Sequence, residues 1–122
     1  MPELLLVTCS RGWRLWDVAW LALSDARERR PNVVLLHGDE PRGDRRLAAM
    51  WRVLGGRDEP MPADWETHRR GGGIIRNRLM VARRPVECLA FIRAQSPGAT
   101  DCAAQAADAG VPTTRFEDGE PG

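Results

Sequence analysis

The sequence predicts an α/β protein: one three-layer α/β/α domain built on a mainly parallel sheet of about five strands. Three observations predict it. Short apolar runs such as Leu4-Leu5-Leu6-Val7 and Val33-Val34-Leu35-Leu36 are unbroken by polar residues, the pattern of strands buried on both faces. Segments with three- and four-residue apolar spacing lie between them. The links are short, and each parallel neighbour needs a right-handed helical crossover, so the alternation is that of a Rossmann-like fold.

Taken in order, the first strand ends at Val7. Residues 13–30 form a helix with Leu15, Val18, Ala19, Ala22, Leu23 and Ala26 as its apolar stripe, and Pro31 stops it. A second strand covers 32–37, a turn-rich link covers 38–43, and a helix over 44–54 ends at Gly55-Gly56. Pro60 and Pro62 permit only a short or edge strand around Met61. After Gly71-Gly72-Gly73, a helix places Ile75, Leu79 and Ala82 on one face and closes at Arg84-Pro85. A strand over 86–92, a turn at 96–98, a helix over 100–109 capped by Gly110, and a strand over 111–116 complete the pattern. The domain is expected to span 1–116, with 117–122 as a frayed tail.

At 122 residues the chain fits one hydrophobic core. No apolar run approaches the ~20 residues of a membrane helix. The start of the chain lacks the basic flank and length of a secretory signal, so a cytoplasmic location and no membrane partner are expected. Cys9, Cys88 and Cys102 form no CxxC pair and sit near no histidine cluster, which argues for reduced thiols and against a metal site. All 18 basic residues are arginine, whose planar forks suit phosphate, while the net charge of +1 points to no particular partner.

Ligands of parallel α/β sheets bind at the carboxyl ends of the strands. Thr8-Cys9-Ser10-Arg11-Gly12 offers hydroxyls, backbone N–H groups and a guanidinium where a strand turns toward a helix; it reads either as an anion site or as a helix cap with a solvated arginine. His37-Gly38 opens the second link, where Arg42, Arg45 and Arg46 either clamp phosphate or face water. The glycine run at 71–73 delivers Arg76 and Asn77 into the first turns of a helix. Ser96-Pro97-Gly98-Ala99-Thr100-Asp101 is a second small-residue turn. Trp65 is placed either to stack on a base or to pack in the core.

In this order the pieces resemble the YspA/cpYpsA-related SLOG family, small Rossmann-like proteins related to the DprA and LOG groups. The likeness runs from about Leu4 to Phe116. It rests on Val7-Thr8-Cys9-Ser10-Arg11 against the family's VTGSR turn, and on His37-Gly38 with Gly43 and Leu47-Ala48 against its HG…GaDrlA segment. Pro62-Ala63-Asp64-Trp65, and residues 73–80 against GpiRNrrM, extend it. The resemblance implies binding of a nucleotide or nucleotide-derived ligand. Thr8, Cys9, Ser10, Arg11, Gly38, Gly43, Asp44, Arg45, Asp64, Trp65, Arg76, Asn77, Gly98 and Thr100 are the candidate binding residues, with no assigned catalytic residue and no certain cofactor.

Three departures from the family pattern carry expectations. Cys9 replaces a glycine, adding a side chain where the backbone would approach phosphate, so Cys9→Gly is expected to tighten binding. With Leu47-Ala48 setting the alignment, Arg45 occupies the family's aspartate position and Asp44 lies about 100° around the helix. The glycine-rich GGxGT loop is Ser96–Thr100 here, and the glutamate used by related phosphoribohydrolases is missing. The rival readings are an N-glycosidic hydrolase of nucleoside monophosphates using Asp44, Asp64 or Asp101, and a single-stranded nucleic-acid binder stacking on Trp65. A homo-oligomer is compatible with either.

Overall fold

The computed structural model describes residues 2–119. Its sheet follows from the apolar runs. β1 (Leu4–Cys9) is buried at all six positions and pairs in parallel with β2 (Val34–His37) on one side and β4 (Glu87–Arg93) on the other. β3 (Asp58–Pro60) and β5 (Thr113–Asp118) form the edges, giving the parallel order β3-β2-β1-β4-β5. The chain reverses its direction of travel across the sheet at β1, so a crevice opens where the carboxyl ends of β1 and β4 diverge.

Alternation along β1 divides the core. Leu5, Val7 and Cys9 face α1 (Trp16–Arg29) and α2 (Asp44–Val53), packing with Leu23, Leu47 and Trp51. Leu4 and Leu6 face the other layer, where they meet Met80 of α4 (Gly72–Ala82) and Cys102 of α5 (Pro97–Asp108). Full burial of each such aliphatic side chain stabilises the fold by about 1.5–3 kcal/mol. Among the described residues no helix is long and apolar enough to cross a membrane. The three cysteines are free and buried.

β1 runs on to Cys9 and β3 ends at Pro60, just before Met61, and three further boundaries and one buried face differ from expectation for physical reasons. α1 starts at Trp16 rather than at Trp13, because Trp13 leaves the helical path to bury its ring edge-on against Phe91, at 5.5 Å, while its Nε1–H donates to the Leu15 carbonyl. α5 starts at Pro97, which suits a first helical position, so residues 98–100 are helical and not a loop. The buried side of α4 holds Gly72, Asn77, Met80 and Val81, whereas Leu79 is exposed. β5 runs to Asp118, so Glu117 and Asp118 belong to the sheet and not to a tail; residues 120–122 lie outside the described residues.

Candidate functional site

A cleft of about 870 Å³ opens at the carboxyl ends of β1, β2 and β4, walled by the loops that follow them and by the starts of α4 and α5. Of the candidate residues, Thr8, Cys9, Ser10, Arg11, Gly38, Asp44, Arg45, Trp65, Arg76 and Gly98 line it. Gly43, Asp64, Asn77 and Thr100 do not. Ser96, from the second small-residue turn, lines it as well, as do Asp39, Glu40 and Arg93, which were not singled out by their residue pattern.

The floor is organised by Asp44. Its carboxylate accepts from the backbone N–H of Cys9 (3.2 Å) and of Gly38 (3.0 Å), tying the end of β1 to the end of β2. Burial pushes its pKa up to about 6, against the opposing pull of Arg76, His37 and the N–H donors. The buried acid is therefore Asp44, while Arg45 is exposed and pairs with Asp39 at 2.9 Å. Gly43 sets this geometry from behind: a Cβ there would come within 2.7 Å of the Cys9 carbonyl oxygen.

Arg76 reaches over Gly38. Its guanidinium donates to the Gly38 carbonyl through Nη1 and to the Asn77 side-chain carbonyl through Nε at 3.0 Å. A Cβ on Gly38 would overlap the guanidinium, which is the physical reason for glycine in this His-Gly pair. Asn77 is buried with its amide engaged: Nδ2 donates to the Gly98 carbonyl (3.2 Å) and to Asp101 (3.0 Å), locking α4 to α5. It positions Arg76 and the start of α5 rather than facing the cleft.

Two helix N-termini meet the cleft. That of α2 is filled by the chain's own carboxylates, since Asp44 occupies its first turn and Glu40 accepts from the N–H groups of Arg42 (2.9 Å) and Gly43 (2.7 Å). The first turn of α5 carries no acidic residue, and a Cβ on Gly98 would meet nothing within 4 Å. The N–H groups of Gly98 and Ala99 have no partner among the described residues, which makes this the end more open to an anion. The expectation for the turn after β1 changes accordingly. Ser10 does not cap α1, which begins six residues later; its Oγ hydrogen-bonds Ser96 Oγ and accepts from the Arg93 N–H at 2.9 Å. The turn therefore braces the start of α5.

Cys9 does not narrow the cleft as expected. Its side chain turns into the core with Leu5, Val7 and Trp13, where Sγ donates to the Ser10 carbonyl (3.5 Å), while its backbone N–H donates to Asp44. Burial, with Asp44 and Glu40 nearby, pushes its thiol pKa up, which disfavours the thiolate. Arg11 pairs with Glu40 at 3.5 Å across the rim. Asp64 is exposed and caps α3 (Trp65–His68) by accepting from the Thr67 N–H at 3.0 Å. Thr100 is set back in α5, with a buried hydroxyl that has no hydrogen-bond partner among the described residues.

Trp65 is 53% exposed, so it is not a core residue. It lies against the start of α4, where a Cβ on Gly72 would be 3.0 Å from Cε3 of the ring. The glycines there make room for the indole; Gly72 and Gly73 are themselves helical. His37 is structural: Nδ1 accepts from the Asp39 N–H (3.1 Å), which leaves Nε2 to donate to Asp58 (2.9 Å).

A model of the YspA, cpYpsA-related SLOG family matches residues 4–68, the segment that carries β1, the Asp44 lattice and Trp65. The chain is also similar to the Gene 61 protein of Mycobacterium phage D29, at 36% identity over 93% of this chain and 96% of that one. No solved structure matches it. The family is one of nucleotide-related ligand-binding domains in general terms, and this chain belongs to it: it is a member of the YspA, cpYpsA-related SLOG family.

Proposed function

We propose that the cleft binds a nucleotide or nucleotide-derived small molecule, with its phosphate on the first turn of α5 beside Arg76 and its base over the exposed face of Trp65. The observation that carries this reading is the contrast between the two helix ends. The first turn of α2 is neutralised by Asp44 and Glu40, while that of α5 faces the cleft with no acid and with a guanidinium anchored nearby. Phosphate oxygens accept from such N–H groups and gain from the helix dipole, and a guanidinium adds charge-assisted bonds.

Binding is favoured over N-glycosidic hydrolysis by the state of the three candidate acids. Asp44 is held by backbone N–H groups, Asp64 is a helix cap, and Asp101 accepts from Asn77 and Gln105. Each already has a structural partner, and of the three only Asp44 lines the cleft. Isothermal titration with a panel of nucleoside monophosphates, ADP-ribose and cyclic nucleotides tests the reading. At least one should bind, and Arg76→Ala should weaken it by about 10–100-fold, the equivalent of one charge-assisted hydrogen bond. No binding across the panel overturns the proposal. Salt-dependent binding of an oligonucleotide alone would replace it with the nucleic-acid reading.

A further inference from the structure

The sheet has two edges of unequal length. β3 is three residues long, whereas β5 presents six, and no strand pairs with its outer side among the described residues. The direction of its polar groups is fixed by the inner ladder. The Cys88 N–H donates to the Pro112 carbonyl (2.8 Å) and the Ala94 N–H to the Asp118 carbonyl (3.0 Å), so even-numbered residues turn their backbone groups toward β4. By the two-residue period of a strand, the N–H and C=O of Thr113, Arg115 and Glu117 point outward.

Arg115 and Glu117 are both exposed, share one face of the strand, and have no ion-pair partner among the described residues. Their opposite charges two residues apart make the edge complementary to itself. If two copies pair antiparallel about Phe116, Arg115 of each faces Glu117 of the other, and both are outward-pointing residues, as a hydrogen-bonded antiparallel pair requires. A shift of the two-fold by half a residue sets outward groups against inward ones and loses the ladder. Centring it on Arg115 or on Glu117 puts like charges opposite one another, which destabilises. Only the register centred on Phe116 both keeps the ladder and sets Arg115 against Glu117.

We infer that β5 is a self-association edge, through which two copies of this chain join into one continuous sheet about a two-fold axis at Phe116. This rests on β5 alone and is independent of what the cleft binds. A pair of charged residues also blunts an edge against aggregation, and that function predicts a monomer. Sedimentation velocity across a concentration series separates the two. The wild-type mass should rise from 13.6 kDa toward twice that value. Arg115→Glu and Glu117→Arg, each alone, should weaken the dimer at least tenfold. An equimolar mixture of the two variants should recover it, because every facing pair then has opposite signs. A monomer at all concentrations, a dimer unaffected by Arg115→Glu, or a mixture that fails to recover would each overturn the inference.

Discussion

Asp44 is the residue whose removal tests the floor of the cleft most sharply, because two opposing effects act on it and the structure says which prevails. Two backbone N–H bonds and the neighbouring Arg76 favour the carboxylate; near-complete burial favours the neutral acid and outweighs them, holding the pKa at about 6. The folded pKa lies above the unfolded one, so the associated stability is complete below the unfolded value and is lost as pH rises through 6. Between pH 7 and pH 5 the fold should gain about 1 kcal/mol from this group. Asp39, Asp58, Glu59, Asp64 and Asp118 have lowered pKa values and act in the opposite direction, so the wild type must be compared with Asp44→Asn at each pH. Urea unfolding followed by tryptophan fluorescence gives both stabilities. The advantage of wild type over Asp44→Asn should grow by about 1 kcal/mol on going from pH 7 to pH 5. An advantage that shrinks over that range would mean that the hydrogen bonds, and not burial, control Asp44.

Three further substitutions separate the parts of the site. Gly38→Ala should displace the Arg76 guanidinium, a flexible end that can swing away, at a stability cost of about 1–2 kcal/mol, while weakening ligand binding at least tenfold by titration calorimetry. Gly43→Ala drives a Cβ to 2.7 Å from the Cys9 carbonyl oxygen, which is backbone and cannot step aside; thermal unfolding should show a loss of about 1–3 kcal/mol. Cys9→Gly deletes a core side chain and loosens the backbone, so it should destabilise by about 1–3 kcal/mol and leave affinity unchanged. Tighter binding in that variant would place the Cys9 side chain in the ligand's path.

What could be read from the sequence divides along physical lines. β1, β2 and β4 were legible because strands buried on both faces leave unbroken apolar runs, and the parallel order followed from the helices between them. The buried face of α4 was not, because Asn77 is a polar residue inside the protein, and only its three hydrogen bonds make that position tenable. Trp13 and Trp65 were interchangeable as letters; the structure buries the first against Phe91 and leaves the second half-exposed on glycine. At the site, Arg76, Gly38 and Ser10 were found by position, but the partners that decide their roles are distant in the chain. Ser10 meets Ser96, Arg76 meets Gly38, and Cys9 meets Asp44. No local pattern signals that the end of α2 is filled by Glu40, which leaves α5 as the end more open to an anion, since the turn-rich link before α2 carries arginines that could equally have clamped phosphate.

On the proposed reading, the first turn of α5 and Arg76 hold the phosphate of a nucleotide-derived ligand. A crystal structure grown with a mixture of nucleotides tests it most directly. Phosphate density is expected against the N–H groups of Gly98 and Ala99, within reach of the Arg76 guanidinium. Nucleotide density seated elsewhere on the protein, with this helix end contacting only solvent, would contradict it.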